Sequence, residues 1–382
     1  ERVAILLERS SNVPIALLAV LKSGAAYVPV DPSHPDTRIG HVLTDAEPRL
    51  IISESRLAER ARGLGQGRPC LLLDEADVAS QPAPDLPEDT ERPAYILYTS
   101  GSTGRPKGVT VSVGALANFF GSMRREPGVQ ATDRLLSVTT IAFDIASLEL
   151  LLPLTVGAEV YVAPAAVVSD GQLLRGLLES RPFTLLQATP SGYRLLLAAG
   201  YEGSPGLTAL VGGEPLNRAL AAQLLERVPR LWNMYGPTEP TVWSTLHRVS
   251  PTDDPMPVGR PIDRTSIYIV DQHLALTPIG VPGEICIGGA GVALGYWHRP
   301  ELTREKFVTD PFAPPTSSGA PARMYRTGDR GRLRADGIIE CLGRVDHQIK
   351  IRGYRVELGE IEAILRQAAG VRDCVVTVRE RR

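Results

Sequence analysis

Short apolar runs alternate with longer amphipathic stretches along the first 235 residues of the chain. An apolar helix is predicted from Ser11 and Asn12, both favoured capping residues, to Gly24, and the strand-like AYVPV (26–30) follows it. Strands and helices alternate again further along the chain. The predicted strand LLQAT (185–189) leads through Pro190 and Ser191 into the apolar helix GYRLLLAA, and a helix from about Asn217 to Arg227 precedes the strand LWNMY (231–235). This alternation predicts a layered α/β core with largely parallel sheets.

The pattern changes after about residue 258, where short strands alternate with turns rich in Gly, Asp and Pro. Asp336 and Gly337 lie between two such strands and predict a hairpin, so this part of the chain is expected to be antiparallel or barrel-like. The stretch 311–321, rich in Pro, Ser and Gly, is expected to be a solvent loop. After Arg344 come a basic stretch, a predicted helix near 357–368 and the strand-like CVVTV.

The predicted fold class is therefore α/β: a layered large N-terminal core with mostly parallel sheets plus a β-barrel-like subdomain, followed by the start of a small α+β C-terminal domain. A chain of 382 residues, with 43% hydrophobic and 22% charged positions, is long enough for two or three domains.

Charge and composition exclude several classes of partner. With 41 basic and 43 acidic residues the formal net charge is −2, so we expect neither nucleic acid nor a membrane surface as a partner. The most apolar window (135–156) contains Asp144 and Glu149 and breaks at Pro153, so no membrane span is expected. Without a recognisable signal peptide, an initiating Met or paired cysteines, the chain is expected to be a cytoplasmic piece of a longer protein with buried free thiols.

The clearest candidate chemistry lies in the loop Tyr98–Gly108, YTSGSTGRPKG. It places three glycines, four Ser/Thr hydroxyls and Lys107 between two β-prone segments. Free backbone N–H groups, hydroxyl donors and a lysine suit a polyphosphate, although the order is not that of a Walker P-loop. The sequence predicts a phosphate-binding loop, and the structural alternative is a flexible Ser/Gly turn.

This loop resembles the phosphate loop of adenylate-forming enzymes, which include acyl-CoA synthetases, luciferases and the adenylation domains of nonribosomal peptide synthetases. Further matching motifs follow in order: LKSGAAYVPVD (21–31), AFDIASLE (142–149), NMYGPTE (233–239), GEICIGGAGVALGYW (283–297), YRTGDR (325–330) and GRVDHQIKIRGYRVELGEIE (343–362). Their order and spacing resemble an amino-acid-activating adenylation domain in particular. The resemblance implies an ATP-dependent acid–thiol ligase that uses ATP and Mg²⁺.

The resemblance also implies roles for individual residues. Lys107 would hold the β/γ end of ATP, Thr238 would contact the α-phosphate, and Glu239 would be both catalytic and the Mg²⁺ ligand. Tyr235 would pack on adenine, and Asp329 would accept hydrogen bonds from the ribose hydroxyls. The full set of implied nucleotide contacts is Thr99, Ser100, Gly101, Ser102, Thr103, Gly104, Lys107, Gly212, Gly213, Glu214, Asn233, Tyr235, Gly236, Thr238, Asp329 and Arg344. Taken singly, GPTE could be a capped turn and Asp329 a turn residue.

Asp144 separates the substrate classes. It follows Phe143 in an otherwise apolar run, where an unpaired carboxylate would be costly and a substrate ammonium would satisfy it. Amino-acid-activating members of the resembled family carry an Asp at this place, whereas fatty-acid and aryl-acid members generally lack it. The alternative is that Asp144 is the N-cap of the helix IASLELLL, and both roles could coexist.

The remaining pocket positions follow from aligning each motif with the family pattern. They are Ile145, Leu148, Gln187, Leu210, Gly212, Met234, Val242 and Trp243. Together with Asp144 this set closely resembles that of glycine-activating domains, since medium and large walls leave room for a very small side chain. Alanine is the expected competitor, with discrimination of about 10–200-fold. Taken singly, each apolar residue could be plain core packing.

The stretch 344–362 resembles the hinge and first segment of a mobile C-terminal domain, with Asp346 at the hinge and Gly353 beside the approach of a carrier-protein thiol. We therefore predict a large adenylation core at 1–345 and the start of a C-terminal domain at 346–382. The implied partners are a phosphopantetheinylated peptidyl carrier protein and neighbouring synthetase domains such as a condensation domain. Lys350, Arg352 and Arg355 could instead form a solvated basic face.

Some features of the family pattern have no counterpart in this sequence. The family's first motif and the C-terminal lysine that bridges substrate carboxylate and ATP are not found, so the chain is expected to be truncated at both ends. Losing such a charge is worth about 3–4 kcal/mol, so this chain alone is expected to bind poorly or turn over slowly. The leading hypothesis is amino-acid adenylation, and the alternatives are an acyl- or aryl-CoA ligase and a non-catalytic nucleotide-binding fragment.

Overall fold

A computed structural model of the chain describes residues 1–76, 84–101, 106–316, 319–345, 349–351, 354–366, 368 and 370–378. The strands are β1 (Arg2–Leu6), β2 (Ala26–Val30), β3 (Leu50–Ser53), β4 (Cys70–Leu72), β5 (Pro93–Thr99), β6 (Lys107–Ser112), β7 (Arg134–Ser137), β8 (Glu159–Val162), β9 (Leu185–Ala188), β10 (Thr208–Gly212), β11 (Arg230–Tyr235), β12 (Thr245–Arg248), β13 (Arg260–Pro261), β14 (Thr265–Val270), β15 (Gly283–Gly289), β16 (Gly295–Tyr296), β17 (Phe307–Thr309), β18 (Arg323–Leu333), β19 (Ile339–Arg344), β20 (Ile349–Ile351) and β21 (Tyr354–Val356). The helices are α1 (Asn12–Lys22), α2 (Asp36–Ala46), α3 (Ala58–Leu64), α4 (Val113–Met123), α5 (Ala146–Leu150), α6 (Ala165–Val168), α7 (Gly171–Ser180), α8 (Pro190–Ala198), α9 (Arg218–Leu225), α10 (Pro300–Lys306) and α11 (Leu358–Leu365).

Two mainly parallel sheets form the core. The first sheet has the strand order β16-β6-β5-β2-β1-β3-β4, and the second has the order β13-β12-β11-β10-β9-β7-β8. Parallel pairing joins β5-β2-β1-β3-β4 and β11-β10-β9-β7-β8, whereas β6, β16, β12 and β13 pair antiparallel at one edge of each sheet. Every residue of β2 and of β10 is buried, as expected for strands covered on both faces.

Helices and sheets stack in alternating layers. One large apolar cluster lies between the two sheets and includes residues of α1, α4 and α5. A second cluster packs α7, α8 and α9 on the outer face of the second sheet, and a third packs α2 and α3 on the outer face of the first sheet. This arrangement confirms the layered α/β core predicted from the sequence.

A third, antiparallel sheet follows the core. Its strands run in the order β14-β15-β18-β17, and β19 pairs with β18. Asp336 and Gly337 form the predicted turn between β18 and β19, and Gly337 has a φ of 78°, which favours glycine. The antiparallel subdomain is thereby confirmed.

Several local predictions are wrong or only partly met. Ser11 is at the N-cap of α1 but its side chain makes no capping hydrogen bond. Residues 374–378 (CVVTV) form no strand in the described C-terminal segment. Of the four free cysteines only Cys286 is buried, where desolvation raises the pKa of its thiol to about 12. No helix within the described part of the chain is long and apolar enough to cross a membrane.

Candidate active site

A cleft of about 890 Å³ lies where the first sheet, the second sheet and the third sheet meet, and we call it the central cleft. The predicted site residues that line it are Thr99, Ser100, Asp144, Ile145, Gly213, Gly236, Thr238, Trp243, Asp329 and Arg344. Residues from motifs more than 200 positions apart in the chain therefore share one cavity.

The phosphate loop connects β5 and β6, whose antiparallel register pairs Thr99 with Lys107. Thr99 and Ser100 are buried and line the cleft. The hydroxyl of Thr99 is buried and has no hydrogen-bond partner among the described residues. A buried donor of this kind beside a cleft fits an anionic ligand such as phosphate. Ser102, Thr103 and Gly104 lie outside the described residues, and Gly101 borders that gap.

Lys107 belongs to a buried group of three polar side chains. Its Nζ lies 3.6 Å from Glu239 Oε1 and donates to the hydroxyl of Tyr296 at 3.2 Å. That hydroxyl donates to Glu239 Oε1 at 2.7 Å, and Lys107 Nζ also lies 4.3 Å from the centroid of the Tyr296 ring. The arrangement holds a cation and a carboxylate together, and neither side chain is among the described residues that line the central cleft. The sequence analysis missed Tyr296, although it lies in the quoted motif GEICIGGAGVALGYW.

Glu239 is the one predicted metal ligand. The described residues contain no group of three or more His, Cys, Asp or Glu side chains that could hold a metal ion. Mg²⁺ is usually bound by one or two carboxylates together with substrate phosphates and water. Glu239 is 0% exposed and its Oε1 already contacts Lys107 and Tyr296, so it would take part in such a site only where a bound nucleotide supplied the other ligands.

Residues of three strands form the predicted ribose site. Asp329 on β18 pairs in register with Arg344 on β19, and Arg344 Nη1 donates to Asp329 Oδ1 at 2.8 Å. The hydroxyl of Tyr235, at the end of β11, donates to Asp329 Oδ2 at 2.6 Å. Burial, and then the negative charge of Asp329, raise the pKa of Tyr235 well above its usual value. Both carboxylate oxygens are thus fixed in position with further lone pairs available.

Two predicted nucleotide residues point to other partners. Asn233 is buried, and its Nδ2 donates to the carbonyl of Pro257 at 2.7 Å. Glu214 accepts from the Ser191 hydroxyl at 2.8 Å through Oε2. Neither residue lines the central cleft among its described walls.

Asp144 lies between the central cleft and a small cavity walled partly by Tyr27 and Tyr95. Asp144 is 8% exposed. Burial raises the pKa of both tyrosines, and the nearby negative charge of Asp144 raises it further. Helix α5 begins at Ala146 with Ile145 at the N-cap, so Asp144 is one residue before the capping position that the alternative interpretation required.

The predicted pocket wall is closed by Trp243. Its indole is 1% exposed and packs on Gly212, where a Cβ atom would lie 2.5 Å from Trp243 Cη2. Thr241 and Val242 have φ values of 64° and 66°, which is unusual for β-branched residues and fixes the direction of the chain before Trp243. The other predicted wall residues are fully or almost fully buried behind the cleft lining: Leu148, Gln187, Leu210, Met234 and Val242.

His34 and Arg38 also line the cleft, and the sequence analysis did not select them. They follow β2, at the carboxyl end of a buried parallel strand, which is where ligand-binding residues of such sheets collect. Their position after this strand was the sequence feature that could have identified them as candidate site residues. Asp346, the predicted hinge residue, lies outside the described residues together with Arg352 and Gly353, as do the side chains of Lys350 and Arg355.

Comparisons with known proteins agree with this geometry. The model of a family described as AMP-binding enzyme matches residues 1–297. A dimodular nonribosomal peptide synthase from Bacillus subtilis is 44% identical over 99% of this chain, which spans 16% of that protein. Tyrocidine synthase 3 from Brevibacillus parabrevis is 40% identical over 99% of this chain, which spans 6% of that protein.

Solved structures give the same result. A four-domain nonribosomal peptide synthetase bound to AMP and glycine is 42% identical with a TM-score of 0.82, over 99% of this chain and 28% of that one. An artificially fused adenylation–PCP di-domain from Klebsiella oxytoca is 31% identical with a TM-score of 0.87, over 100% of this chain and 76% of that one.

Proposed function

Because this chain belongs to the AMP-binding enzyme family, as the adenylation domain of a nonribosomal peptide synthetase, we propose that it activates glycine with ATP to form glycyl-AMP and pyrophosphate. Activation of an amino acid by ATP is the reaction of such domains. Glycine is the proposed substrate, and alanine is the next best.

The observation that carries the glycine proposal is the packing of Trp243 on Gly212 beside Asp144. The indole fills the space that a substrate side chain would need, and Asp144 offers a carboxylate to the substrate ammonium. Forcing a larger substrate side chain into this filled space would cost about 1–3 kcal/mol. The structural relative that was solved with AMP and glycine, at 42% identity, also supports this proposal.

In the proposed reaction, a glycine carboxylate oxygen attacks the α-phosphorus of ATP while the bond from that phosphorus to the bridging oxygen of the β-phosphate breaks. Thr238 contacts the α-phosphate and Lys107 neutralises the departing pyrophosphate. Asp329 and Arg344 hold the ribose end, so that the two anions meet in line. Mg²⁺, held by Glu239 and the phosphates, would add positive charge to the same oxygens.

We further propose that the glycyl group then passes to the phosphopantetheine thiol of a peptidyl carrier protein. The thiol sulfur forms a thioester with the carbonyl carbon, the thiol proton is lost, and AMP leaves. In this proposal residues 1–345 are the adenylation core, 346–382 belong to a smaller mobile domain with its hinge at Asp346, and the condensation domain is another neighbour.

An acyl- or aryl-CoA ligase is the second candidate, but an acid without an amine would bring no positive charge to the carboxylate of Asp144. A non-catalytic nucleotide-binding role is the third candidate, since a buried group such as Lys107, Glu239 and Tyr296 can also be structural.

The test is amino-acid-dependent ATP–pyrophosphate exchange with all twenty amino acids, on the natural protein that contains this chain. We expect the highest exchange with glycine, followed by alanine. Exchange with a different amino acid would retain the reaction and overturn the glycine assignment. Exchange only with fatty or aryl acids would overturn the proposed role of Asp144.

A further inference from the structure

A buried carboxylate lies behind the pocket wall, at Glu149 on α5. The residue is 0% exposed. Its Oε2 accepts from the backbone N–H groups of Val138 and Thr139, each at 2.9 Å. Its Oε1 accepts from the Thr139 hydroxyl and from Gln187 Nε2, the latter at 2.9 Å. Each of these four hydrogen bonds is donated to the carboxylate, as its ionised form requires.

Gln187 connects this carboxylate to the indole of Trp243. Its Nε2 donates to Glu149 Oε1 and to the carbonyl of Ile145, both at 2.9 Å. Its Oε1 accepts from Trp243 Nε1 at 2.9 Å. Because a carboxylate can only accept, Gln187 has to turn its NH₂ group towards Glu149 and its oxygen towards Trp243. The carboxylate of Glu149 and the carbonyl of Ile145, which both accept, together fix the orientation of the amide.

The segment that binds Glu149 is itself held in place. Arg9 donates to the carbonyls of Ser137 and Thr139 through its guanidinium, and to the carbonyl of Ala163 through Nε at 2.7 Å. The positive charge of Arg9 also compensates the negative charge of the buried carboxylate. The network is therefore anchored in the strand β7 and not only in the helix that carries Glu149.

We propose that Glu149 is a positioning residue for substrate specificity, which holds the Trp243 indole across the pocket through Gln187. The indole is fixed at two places: its Nε1 by Gln187, and its six-membered ring by contact with Gly212. Glu149 does not line the central cleft and acts on it through these side chains. The choice of glycine over alanine as the readout rests on the proposed function.

The first variant is Glu149→Gln. In one orientation the new NH₂ group would face the two backbone N–H groups, and in the other it would face the NH₂ of Gln187. The repulsion in the second orientation is relieved if the Gln187 amide rotates so that its oxygen faces position 149. Trp243 Nε1 would then meet an NH₂ group instead of an oxygen. We expect the ratio of kcat/KM for glycine to that for alanine to fall about tenfold, with the KM for ATP unchanged. The matched control is Glu340→Gln, another buried carboxylate, paired with Arg332 in the third sheet, which should keep the ratio.

A double-mutant cycle separates positioning from a general structural role. Trp243→Phe removes the indole donor and enlarges the pocket, so it should lower the same ratio by itself. In the Trp243→Phe background, Glu149→Gln should cause no further fall, since nothing is left for it to position. An unchanged ratio in the single variant Glu149→Gln, or an equal fall in both backgrounds, would overturn the proposal.

Two further points keep the test decisive. If Glu149→Gln does not fold, Gln187→Met keeps the backbone hydrogen bonds of Glu149 and removes the whole amide, which is the acceptor of the indole and the donor to Glu149 and to the Ile145 carbonyl, and the same fall is expected. If the wild-type protein prefers another amino acid, the glycine proposal has failed. The same variants are then compared on that amino acid and its homologue one methylene larger, where an unchanged ratio again counts against Glu149.

Discussion

At the scale of single residues, the substrate end of the cleft depends on the charge of Asp144. The carboxylate is largely buried and shares its surroundings with the phenol groups of Tyr27 and Tyr95. Burial, and then the nearby Asp144 carboxylate, raise the pKa of both phenols, so both tyrosines remain neutral. We propose that a substrate ammonium is the complement of the Asp144 carboxylate.

We therefore predict that Asp144→Asn, which keeps the shape and removes the charge, lowers kcat/KM for the amino acid about 10²–10⁴-fold. Breaking a buried ion pair from one side costs about 3–5 kcal/mol, which is the basis of this figure. Pyrophosphate exchange gives kcat/KM, and nucleotide titration should give an unchanged affinity for ATP. Asp170→Asn is the control, because Asp170 caps α7 and Asn is an equally good cap. Wild-type exchange in Asp144→Asn would contradict the assignment.

A second residue-scale prediction concerns Gly212. In Gly212→Ala the new Cβ would lie 2.5 Å from Trp243 Cη2 and 2.7 Å from the carbonyl of Met234. We expect a loss of about 1–3 kcal/mol in the free energy of unfolding, together with weaker amino-acid binding, because the indole has to move. Urea unfolding measures the first effect.

The control for this substitution is Gly121→Ala on α4. No heavy atom lies within 4 Å of the added Cβ there, so the variant should gain about 0.5–1 kcal/mol. If the variants at Gly212 and Gly121 have equal stability, the close packing of Trp243 on Gly212 is wrong.

At the scale of elements, β16 brings a side chain to the phosphate loop that local sequence does not place there. Tyr296 on β16 pairs with Val109 on β6, and its hydroxyl reaches both Lys107 and Glu239. This two-residue strand therefore ties the loop after β5 to the motif after β11. We infer that the Tyr296 hydroxyl bridges Lys107 Nζ and Glu239 Oε1, which lie 3.6 Å apart.

The corresponding prediction is that Tyr296→Phe raises the KM for ATP about 10–100-fold. The substitution keeps the ring under Lys107 Nζ but removes hydrogen bonds to two charged groups, each bond worth about 1.5–3 kcal/mol. Pyrophosphate exchange at varied ATP concentrations measures the effect. Tyr268→Phe loses a hydrogen bond to Asp310 within the third sheet and should leave that KM unchanged. An unaltered KM in Tyr296→Phe would contradict the role of this hydroxyl.

At the scale of the whole molecule, the features that sequence could predict are those with local causes. AYVPV is β2, a continuous apolar run that is covered on both faces. Asp336 and Gly337 form the turn between β18 and β19, and this turn depends only on the local sequence. Asn217 caps α9 through its side chain, as its position before the apolar helix predicts. The layered core follows from such elements, since apolar faces on both sides of a sheet have to be covered.

Features set by distant contacts could not be predicted in this way. The hydrogen bond between Gln187 and Trp243 joins residues 56 positions apart, and only the folded core brings them together. CVVTV has a strand-like composition but no pairing partner in the described C-terminal segment, so propensity alone does not make it a strand. The motifs indicated which residues belong to the predicted site. Only the structure showed which of them line the cleft and which are buried behind its lining.

Folding stability should also depend on pH through His34, which lines the cleft next to Arg38. Burial, and then repulsion from Arg38, lower the pKa of His34 below its usual value, and attraction to Asp31 offsets this only in part. The folded state therefore binds fewer protons at His34 than the unfolded state once the pH falls below about 6.5. Stability is lost as the pH falls through this window and becomes constant again once both states are protonated.

We predict that the free energy of unfolding falls more steeply between about pH 7.5 and about pH 5.5 in the wild type than in His34→Gln, which has no group to titrate. Urea unfolding at several pH values gives the two slopes. His273→Gln, at an exposed histidine in a turn, should keep the wild-type slope. Because bound phosphates would attract a proton to His34, saturating ATP should reduce the difference between wild type and His34→Gln. Identical slopes in the two proteins without ATP would mean that His34 is not held neutral by its position at the cleft.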